Sequence, residues 1–257
     1  MAISKLSKFS KLAGVSILLL SSNLALAKDW RFQIEPYMMA TSIEGDATMG
    51  RASGVPLDVD FSTILDNLDM AAMIHGEVHH RSGWGFVVDY GFMDLSQKKT
   101  NNREGIVKAN LRQGVLESFG LYRMKHNLGH LDYFVGVRWW DNDVKVTLDP
   151  AISPGSTTLQ VKEDWVDLMA GVRWMSGISK NWNFQARADI GGFGVEADFT
   201  SSVEAGVTYK ISNLMTLDMK YRALWVDFDN TGNTDKRDDF HYDTITHGPI
   251  LGLVFNF

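Results

Sequence analysis

Trp182-Asn183-Phe184-Gln185-Ala186-Arg187-Ala188-Asp189-Ile190-Gly191 alternates apolar and polar side chains without a break. A period of two is that of a β-strand, whose successive side chains point to opposite faces. Trp182, Phe184, Ala186, Ala188 and Ile190 take one face; Asn183, Gln185, Arg187, Asp189 and Gly191 take the other. Segment 199–211 repeats the pattern. Phe199, Val203, Ala205, Val207, Tyr209 and Ile211 oppose Thr200, Ser202, Glu204, Gly206, Thr208 and Lys210, with Ser201 interrupting the apolar row. In segment 215–225, Leu217, Met219, Tyr221, Ala223 and Trp225 oppose Thr216, Asp218, Lys220 and Arg222.

Outward from these, the expected strands are 31–43, 70–80, 84–96, 106–124, 131–147, 164–176, 182–191, 199–211, 215–228 and 241–257. Segment 106–124 is the weakest, because Gln113 and Glu117 interrupt either choice of apolar face. The count is ten, or eight if two weak segments are loops. Short connections (Arg81-Ser82-Gly83, His126 to His130, Ile178 to Asn181, Ser212-Asn213) alternate with longer ones at 44–69, 97–105, 148–163 and 229–240; the 192–198 connection is brief. Membrane barrels place short turns in the periplasm and long loops outside.

The front of the chain carries a secretory pattern. Lys5, Lys8 and Lys11 form a basic region, Leu12 to Leu20 an apolar one, and Ala25-Leu26-Ala27 a small-residue cleavage site. The expected mature domain is 28–257, and residue 28 is Lys, not the Cys of a lipoprotein. Formal net charge is −6, and removing the three signal lysines leaves −9, which argues against a nucleic-acid partner. The chain has no Cys, which removes disulfides, thiolate catalysis and thiolate metal sites. After residue 27 no run of about 18 apolar residues occurs, so only closed β-structure could cross a bilayer.

Three features set the charged face inward. Glycines fall mainly on it (Gly85, Gly91, Gly136, Gly171, Gly191, Gly206, Gly252), where a crowded lumen needs small residues; Gly76 is an exception. Trp84, Tyr133, Trp174, Trp182, Trp225 and Phe257 stand near strand ends, as interfacial girdles do. The last strand, Gly252-Leu253-Val254-Phe255-Asn256-Phe257, stops on an aromatic residue. The reading is an all-β, antiparallel, up-and-down transmembrane barrel of a Gram-negative outer membrane, in contact with lipid and lipopolysaccharide. The sequence carries no signal for oligomeric state.

Segment 44–69 departs from strand character. Residues 55–61 read as extended, and Ser62 to Leu68 as a short helix with Asp60 or Ser62 as N-cap. Phe61, Ile64, Leu65 and Leu68 form its apolar stripe, which suits either packing over the barrel mouth or a plug that folds inward. Gly136-Val137-Arg138-Trp139-Trp140 is echoed by Gly171-Val172-Arg173-Trp174-Met175, a weak repeat of barrel hairpins that puts two arginines on the polar face. Gly191-Gly192-Phe193-Gly194 opens no helix and reads as a strand kink and tight turn, not a phosphate cradle.

Several motifs together resemble an uncharacterised family of Gram-negative outer-membrane β-barrel proteins. They are Val59-Asp60-Phe61 through Ile64-Leu65 to Asn67-Leu68-Asp69, Gly83-Trp84-Gly85, Asp164-Trp165-Val166-Asp167, Gly171-Val172-Arg173, Ala188-Asp189-Ile190-Gly191-Gly192-Phe193-Gly194, Tyr221-Arg222 with Val226-Asp227, and Gly248-Pro249-Ile250-Leu251-Gly252. The tail resembles the signal read by the barrel-assembly machinery, with Gly252, Phe255 and Phe257 in place and Ile250 where that signal has a polar residue. The resemblance implies fold and location and supplies no chemistry.

The polar faces carry Glu77, Asp89, Asp167, Asp189, Glu204 and Asp218 against Arg138, Arg173, Arg187, Lys210, Lys220 and Arg222. Unpaired buried charge is costly, so such groups must pair in a narrow lumen. The alternatives are a salt-bridged, filled interior with a structural or loop-binding role, and a small-solute channel gated by 57–68. Barrels of about eight strands are filled by side chains and open channels appear at about 16–18, which favours the first.

Other candidates are weaker. Asp227, Asp229, Asp235 and Asp238, with Thr231 and Gly232, form part of a calcium-loop pattern, but without its Glu or flanking helices. No cofactor is expected beyond a surface divalent cation bridging lipopolysaccharide. His75 and His79 share a face about 13 Å apart, too far to clamp one ion alone. His241 and Asp243 share a face near an extracellular end and could activate water in a loop-borne hydrolase acting on lipid or peptide, the weak third alternative. No convincing catalytic signature accompanies them.

Overall fold

A computed structural model describes residues 29–50, 52–101, 105–149, 155–231 and 239–257. The expected signal segment 1–27 lies outside them, as do Asp235 and Asp238. The strands are β1 (Trp30–Met39), β2 (Ser42–Met49), β3 (Ala52–Val59), β4 (Leu68–His80), β5 (Trp84–Asn101), β6 (Gly105–His126), β7 (Gly129–Asp149), β8 (Thr157–Gly177), β9 (Trp182–Gly192), β10 (Phe199–Lys210), β11 (Met215–Asn230) and β12 (Phe240–Asn256); a single helix among the described residues, α1, spans Phe61–Asp66. Each of β4 to β12 pairs antiparallel with its sequence neighbour, and β1 pairs with both β4 and β12. Those ten strands close a barrel.

The short turns share one end, and tight backbone fixes them there. Gly83 (φ +97°) and Gly129 (φ +122°) take conformations that a side chain would strain, and an added Cβ on Gly129 would collide with the Met175 carbonyl.

The other end differs from expectation. Segment 44–69 is not an open loop. β1 continues as β2 after a break at Ala40-Thr41, and both pair with β12: β1 up to Met39–Ile250, β2 from Ser42–His247 onward. β3 folds back on β2 as a hairpin, and α1 returns the chain to β4. Of the expected loops 97–105 and 148–163, residues 97–101, 105, 148–149 and 157–163 are strand as well. Cross-strand partners suited to a ladder carry them: Val144 faces Val161, Thr147 faces Thr158 with their hydroxyls 3.1 Å apart, and Asp143 faces Lys162 at 2.9 Å.

The outer wall carries Phe32, Ile34, Ile74, Phe86, Val88, Val135, Val137, Leu168, Val172, Ile190, Val203 and Leu251, all exposed. Trp30, Trp84, Tyr122, Tyr133, Trp174 and Trp182 ring its short-turn end. The buried residues face the lumen, which is the core of the molecule.

Candidate functional site

Strand alternation places buried charge in the lumen. At mid-height Glu117 of β6 faces three arginines from three strands: Arg138 at 2.9 Å, Arg187 at 2.7 Å, and Arg222, which also contacts it directly. Arg138 and Arg187 also reach Asp189, at 2.8 and 3.0 Å. Arg187 lies over the rings of Phe119 and Phe134, 4.9 and 5.0 Å from their centroids. Those rings, with Val87, Leu121 and Met169, form an apolar pad on the β5–β8 wall. Gly136 and Gly171 make room for it, because a Cβ at either would strike Phe119 or Phe134.

Toward the short-turn end a second group centres on Glu77. Arg173 donates to it twice, at 2.6 and 2.8 Å, and His79 hydrogen-bonds it from two residues along β4. Arg173 and Arg123 share Asp132, with Arg123 donating at 2.7 and 2.8 Å. His75 bridges Glu77 and Asp89, and the Tyr37 hydroxyl donates to Asp89 at 2.8 Å. A third group surrounds Lys220: Asp218 at 3.1 Å, Glu204 at 3.3 Å and Glu35 at 3.9 Å. These groups line a polar cavity of about 650 Å³ whose rim includes Arg31, Lys125 and Asn256 at the short-turn end.

Above Glu117 the lumen changes character. Trp140, Trp165 and Phe228 stack, with Trp165 4.1 Å from Phe228 and 5.4 Å from Trp140 between centroids, and Phe240, tilted against Phe228, stacks on Tyr242. Leu224, Val226, Val161, Ala197 and Ala47 complete the cluster. Trp140 and Trp165 are 1% and 2% exposed. Asp167 joins the two zones, because both indole N–H groups donate to it, at 3.2 and 3.3 Å.

Of the twelve charges expected in the lumen, eleven line it, and Lys210 stands exposed at the end of β10. Glu35, Glu117, Asp132 and Arg123 join them, so these buried groups comprise nine carboxylates and six fixed cations instead of six of each. Glu117 was legible only as an interruption of an apolar run. His75 and His79 both bond one carboxylate that stands between them on β4, Glu77.

The remaining candidates lie elsewhere. In α1, Ile64 is buried against Ile43 and Met93, whereas Phe61 and Leu65 point outward and Leu68 opens β4. Asp60 caps the helix, accepting from the Thr63 N–H at 2.7 Å. That bond holds its carboxyl below the usual range. His241 and Asp243 face outward from β12, and His241 lies 4.0 Å from Asp229. Asp227 pairs with Asp243 across β11 and β12. Among the described residues no group of three or more His, Asp or Glu side chains is arranged to hold a metal ion. Gly252 packs against Glu35, Phe255 alternates with the lumen face of β12, and Phe257, just past the strand, is exposed.

No protein-family model matches the sequence, and no curated protein matches it. The fold is similar to the translocator domain of the autotransporter NalP from Neisseria meningitidis, with 12% identity, TM-score 0.50, and coverage of 97% of this chain and 94% of that one. It is also similar to Ail of Yersinia pestis (8% identity, TM-score 0.37, 89% and 99% covered) and to Neisserial surface protein A (11% identity, TM-score 0.34, 89% and 97% covered), likenesses too distant to carry an argument. The chain has the ten-stranded, closed, antiparallel fold of an outer-membrane β-barrel.

Proposed function

We propose that this protein is a non-conducting integral barrel of a Gram-negative outer membrane, exported by its N-terminal segment. It works through the surface that its long strands raise above the bilayer. The observation that carries this reading is the seal. The stacked aromatic cluster and the Glu117 layer fill successive levels of the lumen with side chains that are almost wholly buried. The exposed apolar wall supports the membrane placement, because only hydrocarbon solvates such a belt without penalty. A crossing needs about 9–11 residues, yet β6 has 22 and β7 and β8 have 21 each. The surplus, with the β2–β3 hairpin, forms a sheet-built outer surface. Lipid and lipopolysaccharide surround the wall, and the C-terminal strand is what the assembly machinery would read.

The test is release of ions and a small sugar from loaded liposomes bearing the refolded protein. Retention equal to protein-free liposomes is expected; rapid release would replace this reading with a channel. Gating by 57–68 finds little support, because Ile64 is the one α1 side chain buried in the interior. A hydrolase at His241 would be supported only by hydrolysis of lipid or peptide that is lost in His241→Ala.

A further inference from the structure

The wall of the barrel is interrupted at one place. β1 and β4 pair from Trp30–His80 up to Pro36–Ile74, and there their ladder ends. β1 continues to Met39 against β12 alone, and β4 continues to Leu68 against β5 alone. Pro36, which has no N–H, stands at the parting. The opening between the strands is an apolar groove of about 790 Å³. Ala71 and Ala72 make its floor small-sided, Met38 and Leu251 flank it, and Phe61 and Leu65 of α1 overhang its upper end. Its inner end is built from Tyr37, Met39 and Met73, which also line an 80 Å³ void inside the lumen.

We propose that this groove holds an acyl chain of an outer-leaflet lipid, lipopolysaccharide in a membrane of this kind. The volume lies within the range of about 300–1,000 Å³ typical of sites that enclose a small ligand. Position selects the occupant. The groove interrupts the exposed apolar belt, so hydrocarbon is the solvent at its mouth. It runs from α1, on the side of the long strands, to Met219 and Leu251, about midway along the spanning parts of β11 and β12. That interval is the depth of the outer leaflet. α1 is the clamp: Ile64 anchors it inside, and the exposed Phe61 and Leu65 lie against the groove.

The inference rests on the membrane placement above, and one experiment separates the two. The chain has no Cys, so Met70→Cys beside the groove and Val135→Cys on the wall away from it each accept one environment-sensitive fluorophore. The labelled barrels, in detergent, are titrated with deep-rough lipopolysaccharide. A saturable shift at 70, absent at 135 and abolished by Ala72→Phe, is expected. Parallel, unsaturable shifts at both positions would leave the membrane wall intact and overturn the groove. A shift at 70 that survives Ala72→Phe, or that phosphatidylethanolamine saturates at equal or lower concentration, would also overturn it. No response at either position to any lipid would remove the membrane placement as well.

Discussion

Above Asp167 the lumen is closed by stacked rings, and below it by carboxylates threaded between arginines. The upper zone fills space, and its partners are interchangeable in chemistry if not in volume. The lower zone satisfies charge, and its partners are specific: Glu117 meets three guanidinium groups, and no neutral residue of its size replaces that. Dispersion and hydrophobic burial tolerate reshaping, whereas a buried ion pair that loses one partner leaves a bare charge in a low dielectric. The lower zone also retains a cavity of about 650 Å³, because salt bridges hold side chains at fixed lengths and do not collapse around a void.

Five substitutions would break or sharpen this contrast. Trp165→Ala removes the centre of the upper stack, and its cost is about 3–5 kcal/mol, as for large aromatic truncations in cores; urea titration of the refolded barrel, followed by gel mobility, measures it. Trp165→Phe should recover most of that loss, since filling is what the upper zone requires. Glu117→Gln in the lower zone keeps the volume and removes the charge, and should cost about 3 kcal/mol, with no recovery from Glu117→Leu. A neutral outcome for Glu117→Gln would mean that charge pairing is incidental to closure. Gly252→Ala tests the floor of the lower zone: the new methyl meets the Glu35 carboxylate, so a loss of about 1–3 kcal/mol is expected from overpacking.

The smallest effect belongs to α1, outside both zones. Because the Asp60 carboxyl titrates below its unfolded value, its capping contribution is present above that value and is lost as pH falls through the folded one. The Thr63 amide resonance should therefore move in the acid range below the ordinary carboxylate value, and should stay fixed in Asp60→Asn.

The contrast between the zones also explains what the sequence discloses. Strands 182–191, 199–211 and 215–225 were legible because their lumen faces lie in the charged zone, where inward means polar. The β6 stretch was illegible for the opposite reason. Its inward residues run Leu111, Gln113, Val115, Glu117, Phe119, Leu121, crossing from one zone into the other, and a filled lumen does not repeat one chemistry along a strand. Leu224, Val226 and Phe228 likewise continue the face of Asp218, Lys220 and Arg222 into the aromatic cluster. Glu35, Asp132 and Arg123 escaped notice because each gains its meaning from a partner on another strand. The long upper strands were hidden by their polar composition, which in isolation matches that of loops; only the cross-strand pairs make them sheet.

The most direct test of the central claim is single-channel recording of the refolded mature barrel in planar bilayers. A barrel sealed by two independent zones shows no conductance steps across the usual voltage range. Steady steps from the unaltered protein would contradict the seal and make the lumen charges the lining of a pore.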